Sequence, residues 1–157
     1  VSVALESGEH IEALALVGAD GVNSRIRQLI VNDGEPVASG AVIYRAVIPA
    51  AEMPKDQQKP YPTLWAGPDT HIIYYPVRDW TVCNFGGTVV TGQTTADENE
   101  EALPDEVLPL FSRNCDTPLR VMRIPKRFRR YLIRYREPVE SWSACAGHFT
   151  TCLPGPW

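Results

Sequence analysis

A chain of 157 residues with 44% apolar and 22% charged side chains has the make-up of a globular protein with a real core. Its formal charge of −4 at pH 7 exerts no general pull on nucleic acid or acidic lipid. No apolar run approaches the roughly 20 residues that span a bilayer, and "VSVALESGEH" lacks the basic-then-apolar pattern of a secretory leader, so a cytoplasmic protein without membrane partners is expected.

In chain order, Val1, Val3 and Leu5 alternate before the turn signal "SGEH", and "IEALALV" follows. This predicts a hairpin whose second strand runs into the interior. Gly18 to Gly21 break that strand, Asn23 or Ser24 can cap a helix over "RIRQLIV", and Gly34 and Pro36 lie beyond its end. "SGAVIYRAVIP", Ser39 to Pro49, is a β-branched strand closed by proline, and "AEMPKDQQKPYP" is a polar loop. "TLWAGPDTHIIYYPVRDWTVCNFGGTVV" reads as three short strands parted by "GPD" and "RDW", an antiparallel meander. "TTADENEEALPDEVLPLF" starts as an acidic loop and holds one short helix. "KRFRRYLIRYREPVESW" returns to strand spacing, with Tyr131, Ile133 and Tyr135 on one face. The fourteen prolines favour strands and turns over long helices. The fold class is α+β: a strand-turn-helix piece of a nucleotide-binding domain over residues 1–36, a mainly antiparallel sheet domain over 37–136, and a return toward the first domain over 137–157.

In "LVGADGVNSRIR", Leu16 to Arg27, Gly18 and Gly21 allow a tight turn and a close approach to a ligand. Asp20 offers an acceptor for ribose hydroxyls, and the N–H groups at the start of the following helix favour a phosphate. The same residues also suit a plain strand-to-helix turn with a capping aspartate.

Position by position, the apolar run, Asp20-Gly21, Ser24, Ile26 and Arg27 resemble the Asp-Gly fingerprint of the FAD-dependent aromatic hydroxylases. With "SGAVIYRAVIP", "MP", "LWAGPDTHIIYYPVR" and "REPVESW", the likeness extends over about Val1 to Trp142. It is nearest to the 3-hydroxybenzoate 6-hydroxylases, with the salicylate hydroxylases next. The resemblance implies that Gly18, Asp20, Gly21 and Ser24 help hold FAD, with Arg27 supporting the loop. It also implies NADH or NADPH as reductant, and O2 and a small phenolic acid as substrates.

His71, Ile73 and Tyr75 share one face of a strand, and His71 and Tyr75 stand roughly 13 Å apart along it, so their side chains can bracket one small ring. Histidine as a residue type can take a phenol proton near neutral pH, and a phenolate is the better target for electrophilic oxygen. The family resemblance implies the same catalytic pair, His71 and Tyr75. The plainer reading makes His71 a surface residue and Tyr75 a core residue.

Other features weigh less. "KRFRRYLIRYR" has the residues of a nucleic-acid strip but reads more simply as a solvated strand face. Cys145, His148 and Cys152 have loose zinc-like spacing without a nearby fourth ligand, so no metal is expected. The four cysteines form no disulfide framework, and three of them are expected reduced. Trp65 and Trp80 are expected in a core or a domain interface.

A dinucleotide site normally carries GxGxxG, which is absent here, as is the Gly-Asp motif that the resembled family carries after "REPVESW". The chain starts with Val1 and ends "SACAGHFTTCLPGPW", which suggests an incomplete piece whose last residues come from a shifted reading frame. The expectation is a piece of such a hydroxylase that binds FAD weakly or not at all by itself. The alternatives are a non-catalytic truncated or frameshifted remnant, or a small aromatic-ligand binding domain.

Overall fold

The computed structural model describes residues 1–95, 100–144 and 152–153. The chain divides into two units, Val1–Val37 with Tyr135–Trp157, and Ala38–Arg134.

In the first unit, β1 (Ser2–Leu5) and β2 (His10–Glu12) form the expected hairpin, with Val3 opposite Ile11. Contrary to expectation, β2 stops at Glu12 instead of running inward. Residues 13 to 21 have no regular structure, and Leu14 and Val17 stand 102% and 85% exposed. An apolar run becomes a strand only where something covers it, and within this unit little packs on these side chains. The short helix α1 (Arg25–Ile30) follows with Ser24, not Asn23, as its N-cap. Beside β1 in parallel lies the two-residue strand Cys152–Leu153, β9 in chain order.

The second unit is built on a six-stranded sheet in the order β4-β5-β6-β3-β8-β7. Its strands are β3 (Val37–Pro49), β4 (Thr63–Gly67), β5 (Thr70–Val77), β6 (Val82–Gln93), β7 (Glu100–Ala102) and β8 (Phe128–Tyr135). Strands β4, β5 and β6 are the expected antiparallel meander, and β6 also pairs antiparallel with β3. Alternation along the strands gives the sheet two unlike faces. Val42, Tyr44, Ile72, Tyr74, Phe85 and Phe128 point into the core. Helices α2 (Pro104–Val107) and α3 (Asp116–Met122), with the 3-10 turn Leu108–Phe111 between them, cover that side. A side chain at Gly87 would meet Phe111 at 3.1 Å, so glycine lets the helical layer lie flat on the sheet.

Helix α3 is an element the sequence reading did not name, because "CDTPLRVM" has a proline in it. Pro118 falls in the first turn, where proline costs no backbone hydrogen bond, and Leu119, Val121 and Met122 are buried. The short strand β7 also replaces part of the expected acidic loop. Glu100 and Glu101 pair in register with Arg130 and Arg129 of β8, and salt bridges Glu100–Arg130 and Glu101–Arg127, both 2.7 Å, lie across the pair. Much of the basic strip is thus matched by neighbouring glutamates.

Trp65 packs against the core as expected, whereas Trp80 is not a core residue: it is 51% exposed, in the turn between β5 and β6. Cys83 and Cys115 are free thiols. Cys145 and His148 lie outside the described residues, as does the side chain of Cys152, so the zinc spacing has no structural account; no metal-binding cluster occurs among the described residues. No helix among them is long and apolar enough to cross a membrane.

Candidate functional site

Two places carry the residues singled out in the sequence, one in each unit. The first is the Asp-Gly turn. Gly21 takes φ +77°, a left-handed conformation that favours glycine, and Gly18 lies so close to α1 that a Cβ there would sit 2.7 Å from the Ile26 side chain. One Asp20 carboxylate oxygen accepts from the Ser24 hydroxyl at 2.5 Å. The other accepts from the N–H groups of Arg25 at 2.7 Å and Ile26 at 3.2 Å. The Ser24 hydroxyl in turn accepts from the Arg27 N–H at 2.9 Å.

These bonds correct one expectation. The N–H groups at the start of α1 are not open to a phosphate, because Asp20 and Ser24 have taken them. Partial burial pulls the Asp20 carboxyl upward, but the Ser24 hydroxyl and the backbone N–H groups outweigh it and hold the carboxyl below its usual range.

Arg27 leaves the turn altogether. Its guanidinium donates to Asp33 through Nε at 2.9 Å and a terminal nitrogen at 2.5 Å, and to the Glu137 carbonyl at 2.6 Å. It also lies 5.4 Å from the centre of the Trp142 ring. Arg136 completes the cluster: it bonds Asp33 at 3.2 Å, the Val22 carbonyl at 2.9 Å and the Gly34 carbonyl. Hydrogen bonding from Arg27 holds the Asp33 carboxyl below its usual range. The Arg136 side chain is only 7% exposed, and one of its terminal nitrogens is buried without a partner. A concavity of about 400 Å³ is lined by Gly18, Asp20, Gly21, Arg27, Arg136 and Trp142 among others. Asp33 and Arg136 are residues that sequence reasoning missed. The only signal was Arg136 at the head of "REPVESW"; Asp33 lies in "VNDGEP", and charge pairs this far apart in sequence leave no periodicity to read.

The second place is the sheet face turned away from the core. Strand β5 carries His71, Ile73 and Tyr75 on this face, since Ile72 and Tyr74 point inward. His71 is exposed, which suits the plainer reading, while Tyr75 is half-buried and not a core residue. Opposite His71 on β6 stands Thr88, buried, with no partner for its hydroxyl. Tyr75 faces Asn84, and Ile43 and Ile73 close over Gly86 between them. Thr88 and Gly86 escaped the sequence reading because their importance comes from cross-strand register, which "GGTVV" does not encode.

No family model matches the sequence. Two curated proteins of Aquipseudomonas alcaligenes do: 3-hydroxybenzoate 6-hydroxylase 1 is 34% identical over 90% of this chain, and 3-hydroxybenzoate 6-hydroxylase 2 is 36% identical over 91%. The chain spans 36% and 44% of their lengths. Among solved structures, a salicylate hydroxylase substrate complex superposes on 88% of this chain and 39% of its own, with a TM-score of 0.70 at 17% identity. CtdE in complex with FAD superposes on 86% of this chain and 39% of its own, with a TM-score of 0.61 at 18% identity. The strand-turn-helix piece and the antiparallel sheet are therefore those of the FAD-binding hydroxylase fold. Over about nine-tenths of its length, and for somewhat over a third of theirs, this chain belongs to the flavoprotein aromatic hydroxylase family of the 3-hydroxybenzoate 6-hydroxylases.

Proposed function

We propose that this chain is the substrate-facing part of a cytoplasmic FAD-dependent monooxygenase that hydroxylates a phenolic acid such as 3-hydroxybenzoate or salicylate, using NADH or NADPH and O2. The observation that carries the reading is the 34 to 36% identity to 3-hydroxybenzoate 6-hydroxylases along nine-tenths of the chain.

The residues present fit a flavin nucleotide. Asp20 uses three of about four acceptor positions on its two oxygens, which leaves room for one ribose hydroxyl. The buried, unpartnered Arg136 nitrogen belongs to a side chain lining the same concavity, as a binder of an anionic group would. Gly18, Asp20, Gly21 and Ser24 would hold the nucleotide with Arg136, while Arg27 fixes the loop through Asp33. FAD, when bound, supplies the redox chemistry that activates O2.

On the sheet face, an imidazole nitrogen of His71 accepts the phenolic proton and so raises the electron density of the ring. The Thr88 hydroxyl beside it can donate to the substrate or to a bound water. Tyr75, at the other end of the strand face, positions the ring or its carboxylate, and Ile43 and Ile73 give the ring an apolar bed and keep water from it.

The test grafts this chain in place of the matching stretch of a full-length 3-hydroxybenzoate 6-hydroxylase and compares it with the same graft carrying His71→Ala. Hydroxylated product should fall about 10² to 10⁴-fold, the usual worth of a positioned general base, while NADH oxidation continues. Undiminished product formation would remove His71 from the mechanism.

A further inference from the structure

Two glycines stand side by side in the middle of β6, and packing explains only one of them. Neither Gly86 nor Gly87 takes the left-handed conformation that calls for glycine, and glycine weakens the interior of a strand. Gly87 faces the core, where a side chain would meet Phe111 at 3.1 Å and Met122 at 3.4 Å. Gly86 faces the other way, onto the outer sheet face. A Cβ there would sit 3.4 Å from Ile43 Cδ1 and 3.6 Å from Ile73 Cγ2, ordinary contact distances, so no clash excludes a side chain. A strand glycine that neither backbone nor packing requires often marks a place where a ligand approaches closely.

Gly86 also sits midway between the two residues singled out on β5. It pairs with Ile73, while Thr88 pairs with His71 and Asn84 with Tyr75. Each of these steps is about 7 Å along the strand. With only hydrogen at Gly86, Ile43 and Ile73 settle against the backbone of β6, and the apolar bed between His71 and Tyr75 lies low. A valine there would reach about 1.5 Å beyond its Cβ and lift both isoleucines toward the ring.

We propose that Gly86 sets the size of the substrate, and that the low bed admits a phenolic acid with a second ring fused to the first as well as a single ring. The span of about 13 Å between His71 and Tyr75 has length for two fused rings. The second ring projects sideways from the line joining hydroxyl and carboxylate, and the depth over Gly86 gives it room. The proposal rests on the hydroxylase reading and adds the depth of the site to it.

The test uses the same graft in a full-length 3-hydroxybenzoate 6-hydroxylase. It compares KM and kcat for 3-hydroxybenzoate and for 4-hydroxy-2-naphthoate, which keeps the hydroxyl meta to the carboxylate and the carbon para to it free. The unsubstituted graft should hydroxylate both. Gly86→Val should raise KM for the naphthoate about 10 to 200-fold, the usual worth of a methylene-sized change in a hydrophobic pocket, and at least fivefold less for 3-hydroxybenzoate. Gly86→Ala, whose methyl makes ordinary contacts, should raise it less than Gly86→Val. Adding Ile43→Ala to Gly86→Val should bring the naphthoate back, which a merely weakened sheet would not do. Thermal melts confirm that each graft is folded. Equal losses for both substrates, refusal of the naphthoate by the unsubstituted graft, or no rescue by Ile43→Ala overturns the proposal, while product from 3-hydroxybenzoate leaves the hydroxylase reading standing. No product from either substrate overturns both.

Discussion

Replacing Asp20 by Asn separates a capping aspartate from one that serves a ligand alone. The carboxylate accepts three hydrogen bonds, from the Ser24 hydroxyl and the Arg25 and Ile26 N–H groups. The amide keeps one acceptor oxygen and turns an NH2 donor toward donors. Bonds to a charged acceptor are worth about 1.5 to 3 kcal/mol each when shielded, but Asp20 is exposed, and water takes over part of what the carboxylate gave. The loss then falls in the range for a missing helix cap, about 1 kcal/mol. For a chain of this size that lowers the melting temperature by about 2 to 4 °C, and local exchange of the Arg25 and Ile26 amides quickens about fivefold. Because the folded carboxyl titrates below 3.8, its stabilisation is complete above that value and is lost as pH falls through the lower folded one. The gap between wild type and variant should therefore narrow as pH falls through that lowered folded value. A double-mutant cycle with Ser24→Ala should show coupling of about 0.5 kcal/mol or more. Unchanged melting and amide exchange at pH 7, without any ligand, would refute the cap.

Two further outcomes test the packing. Gly18→Ala should destabilise by about 1 to 3 kcal/mol, because the new methyl meets Ile26 at 2.7 Å; adding Ile26→Ala should recover part of the loss, and thermal melts that show no recovery would deny the contact. Tyr74→Phe should cost about 1 to 3 kcal/mol in urea unfolding, since it strands the buried Gln57 oxygen and the Trp65 N–H; a neutral result would mean that water replaces the hydroxyl.

The strand positions were legible where one sheet face is buried. "HIIYY" and "CNFGG" alternate because Ile72, Tyr74, Cys83 and Phe85 enter a common core, and that period survives in any single segment. The cap was legible too: Asp20 and Ser24 act within a few residues of themselves, so local chemistry suffices. Helix α3 was hidden by Pro118, and β7 by its glutamates, since a strand of that composition exists only beside the arginines of β8.

By itself, then, the sequence determined the class of fold, the meander, the Asp-Gly turn and the placing of His71 and Tyr75 on one face, because each follows from spacing along a short stretch. Tertiary structure alone decided that Arg27 and Arg136 meet at Asp33, and that an unpartnered Thr88 stands opposite His71. Those partners lie 6 to 103 positions apart, and such a contact depends on where two atoms finish in space, which no local pattern records.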